Sequence, residues 1–425
     1  MGRIPGYLHK HWLCRLLTLV VLVGSLACKP AAAYAEVRED DLVGGIPLLL
    51  RPIEGTPDVV APSALVAAAD GTILWSRGGT DRRPMASTTK IMTAVVALEN
   101  AELDKECLVT AGAARTAGTT AWIQEHDRIS LYNLLIGLLV PSGNDAGVAI
   151  AENIAGTQFE FVQMMNAKAQ SLGMLNTHYV DAHGLDEDEL YSTVEDYLIL
   201  ARHAMRNATF REIVCMTEAT VYTNSGREIK YISTNKLFYR MEGVLGIKTG
   251  TNYEADACLV ACVEHNGDVF YSVVFGSPTD ESRYRDTEQM LYWAFSHYRT
   301  VELINSTTRV ADLALTSWID KTVLVCAAYP VTMPVFNLSG PISQEVELSD
   351  WEGSISRGQK VGRVIWMQKS EVIATADLVA AETIDAPNFL ESVRIKWERF
   401  TGGFNDQPKH ADTRIYLPEV LEIPF

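Results

Sequence analysis

The sequence predicts an α/β (α+β) protein in which an antiparallel sheet is flanked by helices and followed by a small C-terminal all-β domain. Strand-like hairpins occur near residues 64–76 and 257–275, and the chain between them is mostly helical in pattern. Hairpins at both ends of a helical middle are typical of one sheet covered by helices from a single long insertion. From about residue 300 the pattern changes to short alternating runs separated by turn residues, which favours an all-β domain.

The first 35 residues are predicted to be a secretory signal peptide. Basic residues (Arg3, Lys10 and Arg15) precede an apolar run at 16–27, and Ala33-Tyr34-Ala35 forms a small-x-small cleavage site. The apolar run is too short to span a bilayer. We therefore expect an exported protein at the outer face of the cytoplasmic membrane or in the cell wall, on the periplasmic side if an outer membrane exists.

The rest of the chain divides by composition into five segments. We expect a linker at 36–59, a helix-rich first domain at 60–298, a β domain at 299–386, an amphipathic helix at 387–403, and a tail at 404–425 to which the pattern assigns no role.

The charge and the cysteines exclude two classes of function. Acidic residues outnumber basic ones by 53 to 36, which gives a formal net charge of −17. Such a chain repels phosphates, so no nucleic-acid partner is expected. No Cys or His spacing is typical of a metal site, and the sequence predicts neither a metal nor a cofactor.

The first domain opens with a hairpin and a buried helix. Asp70-Gly71 is a strong tight-turn signal between two β-prone runs. The residues after Lys90 are nearly all apolar or small, which predicts a helix inside the domain. Ser87 and Lys90 are three residues apart, so their side chains lie on one face of that helix. A buried lysine that loses its proton can accept the proton of a serine hydroxyl, and the helix N-terminus offers free N–H groups to an oxyanion.

The elements that follow carry two more groups of polar residues. Ser142-Gly143-Asn144 lies on a loop between predicted helices. There the Ser142 hydroxyl can relay a proton and the Asn144 amide can hold a peptide backbone. Lys248-Thr249-Gly250 lies on a predicted strand edge and offers a cation, a hydroxyl and a close backbone approach to a ligand with a carboxylate. The predicted helices cover 128–139, 146–154, 158–172, 193–204 and 281–297, and the predicted strands are a hairpin at 219–232 and the runs 257–264 and 269–275.

Each group alone also fits an ordinary role, as a helix cap, a snorkelling lysine or an exposed strand residue. Together and in this order they match the Ser-x-x-Lys, Ser-Asp-Asn and Lys-Thr-Gly motifs of penicillin-binding proteins and class A β-lactamases. Ser233-Thr234-Asn235-Lys236 also fits the first pattern. No buried apolar helix follows it and it lies close to Lys248, so we interpret it as a chance match.

From about residue 60 to residue 400 the chain resembles the low-molecular-mass penicillin-binding proteins, the serine-type D-alanyl-D-alanine carboxypeptidase family. The resemblance implies a penicillin-recognising serine transferase/β-lactamase-like catalytic domain at 60–298, a β-sandwich-like C-terminal domain and an amphipathic membrane helix. It rests on the segments 86–93, 142–146, 176–178, 183–185 and 248–251 and on Gly358-x-x-Val361-Gly362.

Two departures from the family pattern lie outside the three motifs. Asp181-Ala182 replaces the usual Asn-Pro before His183-Gly184, and Asn252-Tyr253 alters the residues that follow Thr251. We expect neither departure to touch the motifs, although the second can tune substrate fit.

The resemblance also implies catalytic roles. Ser87, deprotonated by Lys90, would attack the carbonyl between the last two D-alanines of a peptidoglycan stem peptide, and water would then cleave the acyl-enzyme. Backbone N–H groups of Ser87 and Thr251 would hold the oxyanion. Ser142 would pass a proton toward the leaving amine, and Asn144 would position Lys90 and the substrate amide.

Substrate contacts follow from the same resemblance. Lys248 and Thr249 would bind the terminal carboxylate beside Gly250 and Thr251. Arg283 resembles a family arginine that assists, although it equally fits a surface arginine at a helix start. β-Lactams would acylate Ser87 and leave slowly. The expected partners are therefore peptidoglycan stem peptides and, as covalent inhibitors, β-lactams.

Residues 389–400 project as an amphipathic helix, and two interpretations compete. One is a terminal helix docked on the β domain, and the other is an interfacial helix on the membrane surface with Trp and Phe inserted. We favour membrane contact. The apolar side chains that fall within about 100° of arc are Phe389, Leu390, Val393, Trp397 and Phe400.

Three alternative functions remain open. A class A-like β-lactamase is less similar, because the sequence has no Glu-x-x-Leu-Asn deacylating loop between the second and third motifs; rapid release of bound penicillin would favour it. A D,D-endopeptidase acting on cross-links would use the same residues. A non-catalytic wall-binding protein would keep the fold and fail to take up labelled penicillin.

Overall fold

The structure, a computed structural model, describes residues 42–43, 46–47, 55–185, 189–402 and 410–423. The predicted signal peptide at 1–35, most of the predicted linker and residues 403–409 lie outside the described residues. In the part of the chain that is described, no helix combines the length and the apolar composition that crossing a membrane requires.

The first sheet is built from strands at both ends of a helical stretch. In chain order the elements are β1 Leu42–Val43, β2 Ile46–Pro47, β3 Ser63–Ala68, β4 Ile73–Arg77, α1 Lys90–Asn100, β5 Glu106–Leu108, α2 Ala111–Ala114, β6 Arg128–Ser130, α3 Leu131–Leu139, α4 Asn144–Ala155, α5 Gln158–Leu172, α6 Val194–Ala204, α7 Ala208–Val214, β7 Glu218–Tyr222, β8 Glu228–Ile232, β9 Val244–Asn252, β10 Asp256–His265, β11 Asp268–Ser277 and α8 Asp280–His297. The five-stranded antiparallel sheet has the order β4-β3-β11-β10-β9, so β9 lies at one edge. The predicted antiparallel sheet with helices inserted between its strands is confirmed.

Two apolar cores cover the faces of this sheet. Helix α1 lies in the larger core, is buried from Lys90 to Ala97, and packs against α3, α4, α5 and α6. Helix α8 packs on the opposite face against β10 and β11. Because side chains alternate along a strand, Cys258 and Cys262 both face the α1 side, where they are buried and free, whereas Leu259 faces α8.

Two helix starts differ from the prediction. The run predicted as a helix from residue 128 begins with β6, which pairs with β5, and α3 begins only after Ser130. The Ser130 hydroxyl accepts the N–H of Asn133 and caps the helix there. Helix α4 begins at Asn144, two residues earlier than predicted, so Asn144 lies on a helix and not on a loop.

The C-terminal region is β-rich, as predicted. Its elements are β12 Tyr298–Ile304, β13 Ala311–Ala314, β14 Thr322–Ala327, β15 Val331–Phe336, β16 Ile342–Leu348, β17 Lys360–Gln368, β18 Glu371–Ala380, α9 Phe389–Gly402, β19 Arg414–Ile415 and β20 Val420–Leu421. Strands β12 and β15 pair with each other, and the rest form a seven-stranded sheet in the order β19-β13-β14-β18-β17-β16-β20. The tail, to which the sequence assigned no role, thus supplies both edge strands of this sheet.

Candidate active site

The Ser87 segment is a 3₁₀ turn, Ala86–Thr89, that runs directly into α1 at Lys90. Ala86 has a φ of 46°, a left-handed conformation that is uncommon for alanine. Such strain persists only where the surrounding contacts impose it, and it is frequent at functional sites. Ser87 is half-buried whereas Lys90 is completely buried, so the hydroxyl is the accessible member of the pair.

The side-chain nitrogen of Lys90 meets three oxygens in the interior. Its Nζ lies 2.8 Å from Ser87 Oγ, 2.7 Å from Asn144 Oδ1 and 2.6 Å from the carbonyl oxygen of His183. Burial lowers the pKa of Lys90 to about 7. A substantial fraction of Lys90 is therefore neutral near pH 7, which is the state that a general base requires.

Asn144 is held in one orientation by a loop that crosses it. Its Nδ2 donates to the carbonyl of Ala117 at 2.8 Å, and its backbone N–H donates to Thr119 at 2.7 Å. A Cβ added to Gly118, whose φ is 87°, would lie 2.6 Å from Asn144 Nδ2, so the close crossing needs glycine. Since the amide nitrogen faces Ala117, the amide oxygen faces Lys90.

Ser142 lies two residues before Asn144 and is also buried. Its φ of 71° makes it a second non-glycine residue of this site in the left-handed region. The adjacent Gly143 packs so closely on Ala121 that an added Cβ would lie 2.6 Å from the Ala121 Cβ. The Ser142 hydroxyl has no hydrogen-bond partner among the described residues, which leaves it available to a ligand or a water molecule.

Strand β9 brings the third motif against the Ser87 turn. A Cβ added to Gly250 would lie 2.9 Å from the backbone nitrogen of Ser87, 2.9 Å from the Met85 carbonyl oxygen and 3.0 Å from the Thr88 nitrogen. Only glycine permits this approach of strand to turn. The pairing of Gly250 with Cys258 of β10 fixes the register that produces it.

Lys248 is buried in the same region. Its Nζ donates to the carbonyl of Thr249 at 2.9 Å. Burial holds the pKa of Lys248 well below its usual range, and the positive charges of Lys90 and Arg283 lower it further. A carboxylate placed beside these cations would relieve their repulsion, so the third motif suits an anionic ligand.

Thr234 is a residue of the site that the sequence analysis missed. Its Oγ1 lies 2.8 Å from Thr249 Oγ1, and its carbonyl accepts the hydroxyl of Tyr284. Thr234 belongs to the run set aside as a chance match. The Ser233 hydroxyl of that run accepts the N–H of Asn235 and takes part in no contact with Lys90 that the structure describes.

Arg283 holds the end of β9 from the first turn of α8. Its Nη1 donates to Thr251 Oγ1 at 2.6 Å and to the Gly250 carbonyl at 3.0 Å, and lies 3.2 Å from the Asp280 carboxylate. The side chain is buried, so the interpretation as a surface arginine is wrong. These contacts place Arg283 behind the third motif, where it positions the Gly250–Thr251 backbone.

Both departures from the family pattern lie next to this site, although neither replaces a residue of the three motifs. The carbonyl of Ala182 accepts the hydroxyl of Thr93, and a Cβ on Gly184 would meet the Ala86 carbonyl at 2.0 Å. Asn252 donates to the Gly184 carbonyl at 3.3 Å and so joins the end of β9 to the same segment. Tyr253 beside it is almost fully exposed.

The arrangement suits acyl transfer through a covalent intermediate. An accessible hydroxyl is hydrogen-bonded to a lysine of lowered pKa, and a second buried lysine lies on the strand that borders the hydroxyl. Among the described residues, no group of three His, Cys, Asp or Glu side chains is placed to hold a metal ion.

Comparison with known protein families and curated proteins gives one consistent result. A family described as D-alanyl-D-alanine carboxypeptidase matches residues 52–279. The carboxypeptidase DacF of Bacillus subtilis is 29% identical over 78% of this chain and 87% of its own. The carboxypeptidase DacC of Escherichia coli is 27% identical over 80% of this chain and 89% of its own.

Solved structures show the same similarity. The D-alanyl-D-alanine carboxypeptidase DacD of Francisella tularensis superposes with a TM-score of 0.57 at 25% identity, covering 80% of this chain and 96% of its own. Penicillin-binding protein 5 of Haemophilus influenzae superposes with a TM-score of 0.58 at 25% identity, covering 78% of this chain and 99% of its own. The Streptomyces K15 DD-transpeptidase superposes with a TM-score of 0.55 at 30% identity, covering 57% of this chain and 99% of its own.

Proposed function

Because this chain belongs to the D-alanyl-D-alanine carboxypeptidase family, we propose that Ser87 is the nucleophile with which it removes the terminal D-alanine from peptidoglycan stem pentapeptides. The chain is a serine-type carboxypeptidase, a hydrolase that acts on peptidoglycan peptides. One observation carries the assignment of the nucleophile: the 2.8 Å hydrogen bond from Lys90 Nζ to Ser87 Oγ, made by a lysine whose pKa is lowered to about 7.

Acylation begins with transfer of the Ser87 hydroxyl proton to neutral Lys90. The Ser87 Oγ attacks the carbonyl between the two D-alanines, and the backbone N–H groups of Ser87 and Thr251 stabilise the oxyanion. The charge that forms on Lys90 is met by Asn144 Oδ1 and the His183 carbonyl, which already accept hydrogen bonds from Nζ.

Ser142 then gives its hydroxyl proton to the leaving amine and takes the proton held by Lys90 in return, so D-alanine departs and Lys90 is neutral again. A water molecule attacks the ester carbonyl with Lys90 again as the base, which frees the shortened peptide and restores the Ser87 hydroxyl. One water is consumed for each peptide bond cleaved. A β-lactam follows the first step, but its opened ring stays attached to the acyl group, so the ester is hydrolysed slowly.

Lys248 and Thr249 form the subsite for the terminal carboxylate, on the strand whose Gly250 adjoins the Ser87 turn. Burial and the neighbouring cations lower the pKa of Lys248, so an arriving carboxylate favours its charged form and gains a strong ion pair. Arg283 and Thr234 position this subsite through Thr251 and Thr249.

Mass spectrometry tests the proposal directly. Purified protein incubated with a pentapeptide muropeptide is expected to release one alanine, and labelled penicillin is expected on the proteolytic fragment that carries Ser87. An unchanged muropeptide, or a label on another fragment, contradicts the proposal. Two variations separate the alternatives: rapid loss of the label identifies a β-lactamase, and cleavage of a cross-linked muropeptide dimer identifies a D,D-endopeptidase.

We also propose the division into a catalytic domain at 60–298 and a β domain at 299–386, with export directed by the signal peptide at 1–35. The separate apolar cores of the two sheets support this division. The working location is then the outer face of the cytoplasmic membrane or the cell wall, on the periplasmic side if an outer membrane exists.

Helix α9 is the proposed membrane contact. One face packs on the β-rich region, where Ile395 is buried and Arg399 donates to the carbonyls of Thr316 and Trp318. The opposite face leaves exposed apolar side chains: Phe389, Leu390, Val393, Trp397 and Phe400. A helix held to the protein on one side with aromatic residues on the other fits a lipid interface.

Changing Leu390 and Trp397 together to serine should weaken binding to vesicles of phosphatidylethanolamine and phosphatidylglycerol by about tenfold or more. The reason is that each large apolar side chain contributes about 1.5–3 kcal/mol when it leaves water. Co-sedimentation measures the effect. Leu175→Ser, at an equally exposed leucine far from α9 in sequence, is the matched control and should sediment like the wild type. Equal sedimentation of all three proteins would exclude this contact.

A further inference from the structure

We propose that Asp181 is a positioning residue that holds the His183 carbonyl against Lys90 and, by its buried negative charge, sets the pH at which Lys90 becomes a base. The proposal rests on the proposed roles of Ser87 and Lys90. It adds a residue that lies outside all three motifs.

The carboxylate of Asp181 organises a buried turn. Its Oδ1 accepts the backbone N–H groups of His183 at 2.8 Å and Gly184 at 2.5 Å, and its Oδ2 accepts that of Leu185 at 3.0 Å. Oδ2 also lies 3.1 Å from His183 Nδ1. Three successive N–H donors converging on one almost fully buried carboxyl group favour its ionised, acceptor-only form.

This turn contacts Lys90 and the residue that directly precedes Ser87. His183, whose N–H is bound by Asp181, presents its carbonyl to Lys90 Nζ at 2.6 Å. Gly184 lies against the Ala86 carbonyl, directly before Ser87, in a packing that leaves no room for a Cβ. A shift of the Asp181 carboxylate therefore moves an acceptor of Lys90 and the support of the Ser87 turn together.

Several charged or titratable groups face Lys90 from the elements around it. Asp145 approaches from α4, Lys248 from β9, and Asp181 and His183 from the turn described above. Burial has the largest effect on the pKa of Lys90 and lowers it; the Asp181 carboxylate raises it more than any other charge, and Asp145 follows.

Asp145 has a structural role in a different loop. Its two oxygens accept Thr120 Oγ1 at 2.6 Å and the N–H of Ala121 at 2.7 Å, and so hold the loop that crosses the second motif. Removing that carboxylate would disturb the loop and the charge at once. Asp181 offers the cleaner test, because an asparagine oxygen can still accept the N–H groups of His183 and Gly184.

The direction of the effect follows from the sign of the charge. A carboxylate stabilises the protonated, cationic form of Lys90, so Asp181→Asn destabilises that form and lowers the Lys90 pKa below about 7. The neutral base then persists to lower pH. The acid limb of the rate profile should shift to lower pH by about one unit. The rate on the plateau should also decrease, because a weaker base takes up the serine proton less readily.

The experiment measures the rate constant for acylation by labelled penicillin from about pH 5 to pH 9. Wild type is compared with Asp181→Asn and with Asp286→Asn. Asp286 is an equally buried carboxylate that accepts the N–H groups of Val60 and Ala61, and it is absent from the groups that act on Lys90. We expect a limb near pH 7 for wild type and Asp286→Asn, and a limb about one unit lower for Asp181→Asn.

A limb for Asp181→Asn that coincides with that of the wild type, with or without a lower plateau, overturns the proposal and leaves Asp181 a purely structural role. Should the single variant fail to fold by circular dichroism, Asp181→Asn combined with Ala182→Pro restores the usual Asn-Pro pair and carries the same comparison. Absence of acylation of wild type at every pH would instead overturn the proposed function, which separates the two failures.

Discussion

Replacing Ser87 with alanine should lower kcat for D-alanine release by about four orders of magnitude or more and abolish covalent penicillin uptake. The substitution removes the hydroxyl oxygen that, in the proposed mechanism, forms the acyl ester. The Lys90 amine keeps its contacts to Asn144 and His183, so the fold should remain intact. Loss of activity in this variant therefore reports on chemistry and not on folding.

The sequence supplies a matched control for that variant. Ser233 also begins a Ser-x-x-Lys run, but among the described residues its hydroxyl makes one hydrogen bond, in which it accepts the N–H of Asn235 at 3.2 Å. Ser233→Ala removes one local neutral hydrogen bond, which costs about 1 kcal/mol of folding stability. Because the folded protein persists and the proposed nucleophile is unchanged, the variant should keep at least about half of the wild-type rate. D-alanine release and penicillin labelling on a denaturing gel measure both variants. Equal losses in the two variants would contradict the assignment of Ser87.

Replacing Lys90 with methionine should lower kcat/KM by about three orders of magnitude. Methionine approximates the length of the lysine chain but cannot accept the Ser87 proton, and general-base catalysis typically contributes 10²–10⁴-fold. The acid limb of the residual activity should also disappear, because the group that titrates near pH 7 is gone. Steady-state rates measured between about pH 5 and pH 9 test both points.

Lys236→Met is the control, since Lys236 ends the second Ser-x-x-Lys run and its side chain is exposed. It should behave like the wild type at every pH. A Lys90→Met variant that keeps more than a tenth of the wild-type rate would show that another group deprotonates Ser87.

The same lysine affects the pH dependence of stability. Its pKa is about 7 in the folded protein against 10.5 for the ordinary side chain, so between these values the unfolded chain binds more protons. Stability conferred by this group therefore rises with pH across that window and is lowest below it. Lys90→Met should flatten the rise in the urea midpoint over this range, although buried Lys248, with its own lowered pKa, contributes a slope of the same sign.

The parts of the fold that the sequence predicted are those with local signals. Helix α5 has the predicted bounds, because Thr157 caps its start and Gly173 ends it in a left-handed conformation. Strands β19 and β20 were not predicted. Two-residue strands have no periodicity of their own, and these exist only through pairing with β13 and β16.

The contacts of the site also divide into those that local spacing predicts and those that depend on distant parts of the chain. The contact between Ser87 and Lys90 follows from helical spacing, so it was visible in the sequence. The contacts of Asp181 and Thr234 depend on how distant loops fold, and no pattern in their own neighbourhood indicates them. Arg283 has a sequence environment typical of a surface helix start, yet the end of β9 buries it.

The contacts of Lys90 have a further consequence for the stage of folding at which the enzyme becomes active. Its partners Asn144 and His183 lie 54 and 93 residues away along the chain, so each contact requires closure of a long loop. The entropy lost in such closures is recovered only when the surrounding core condenses. An unfolded chain should thus gain its reactivity in one late step, and antibiotic labelling would then count native molecules during refolding.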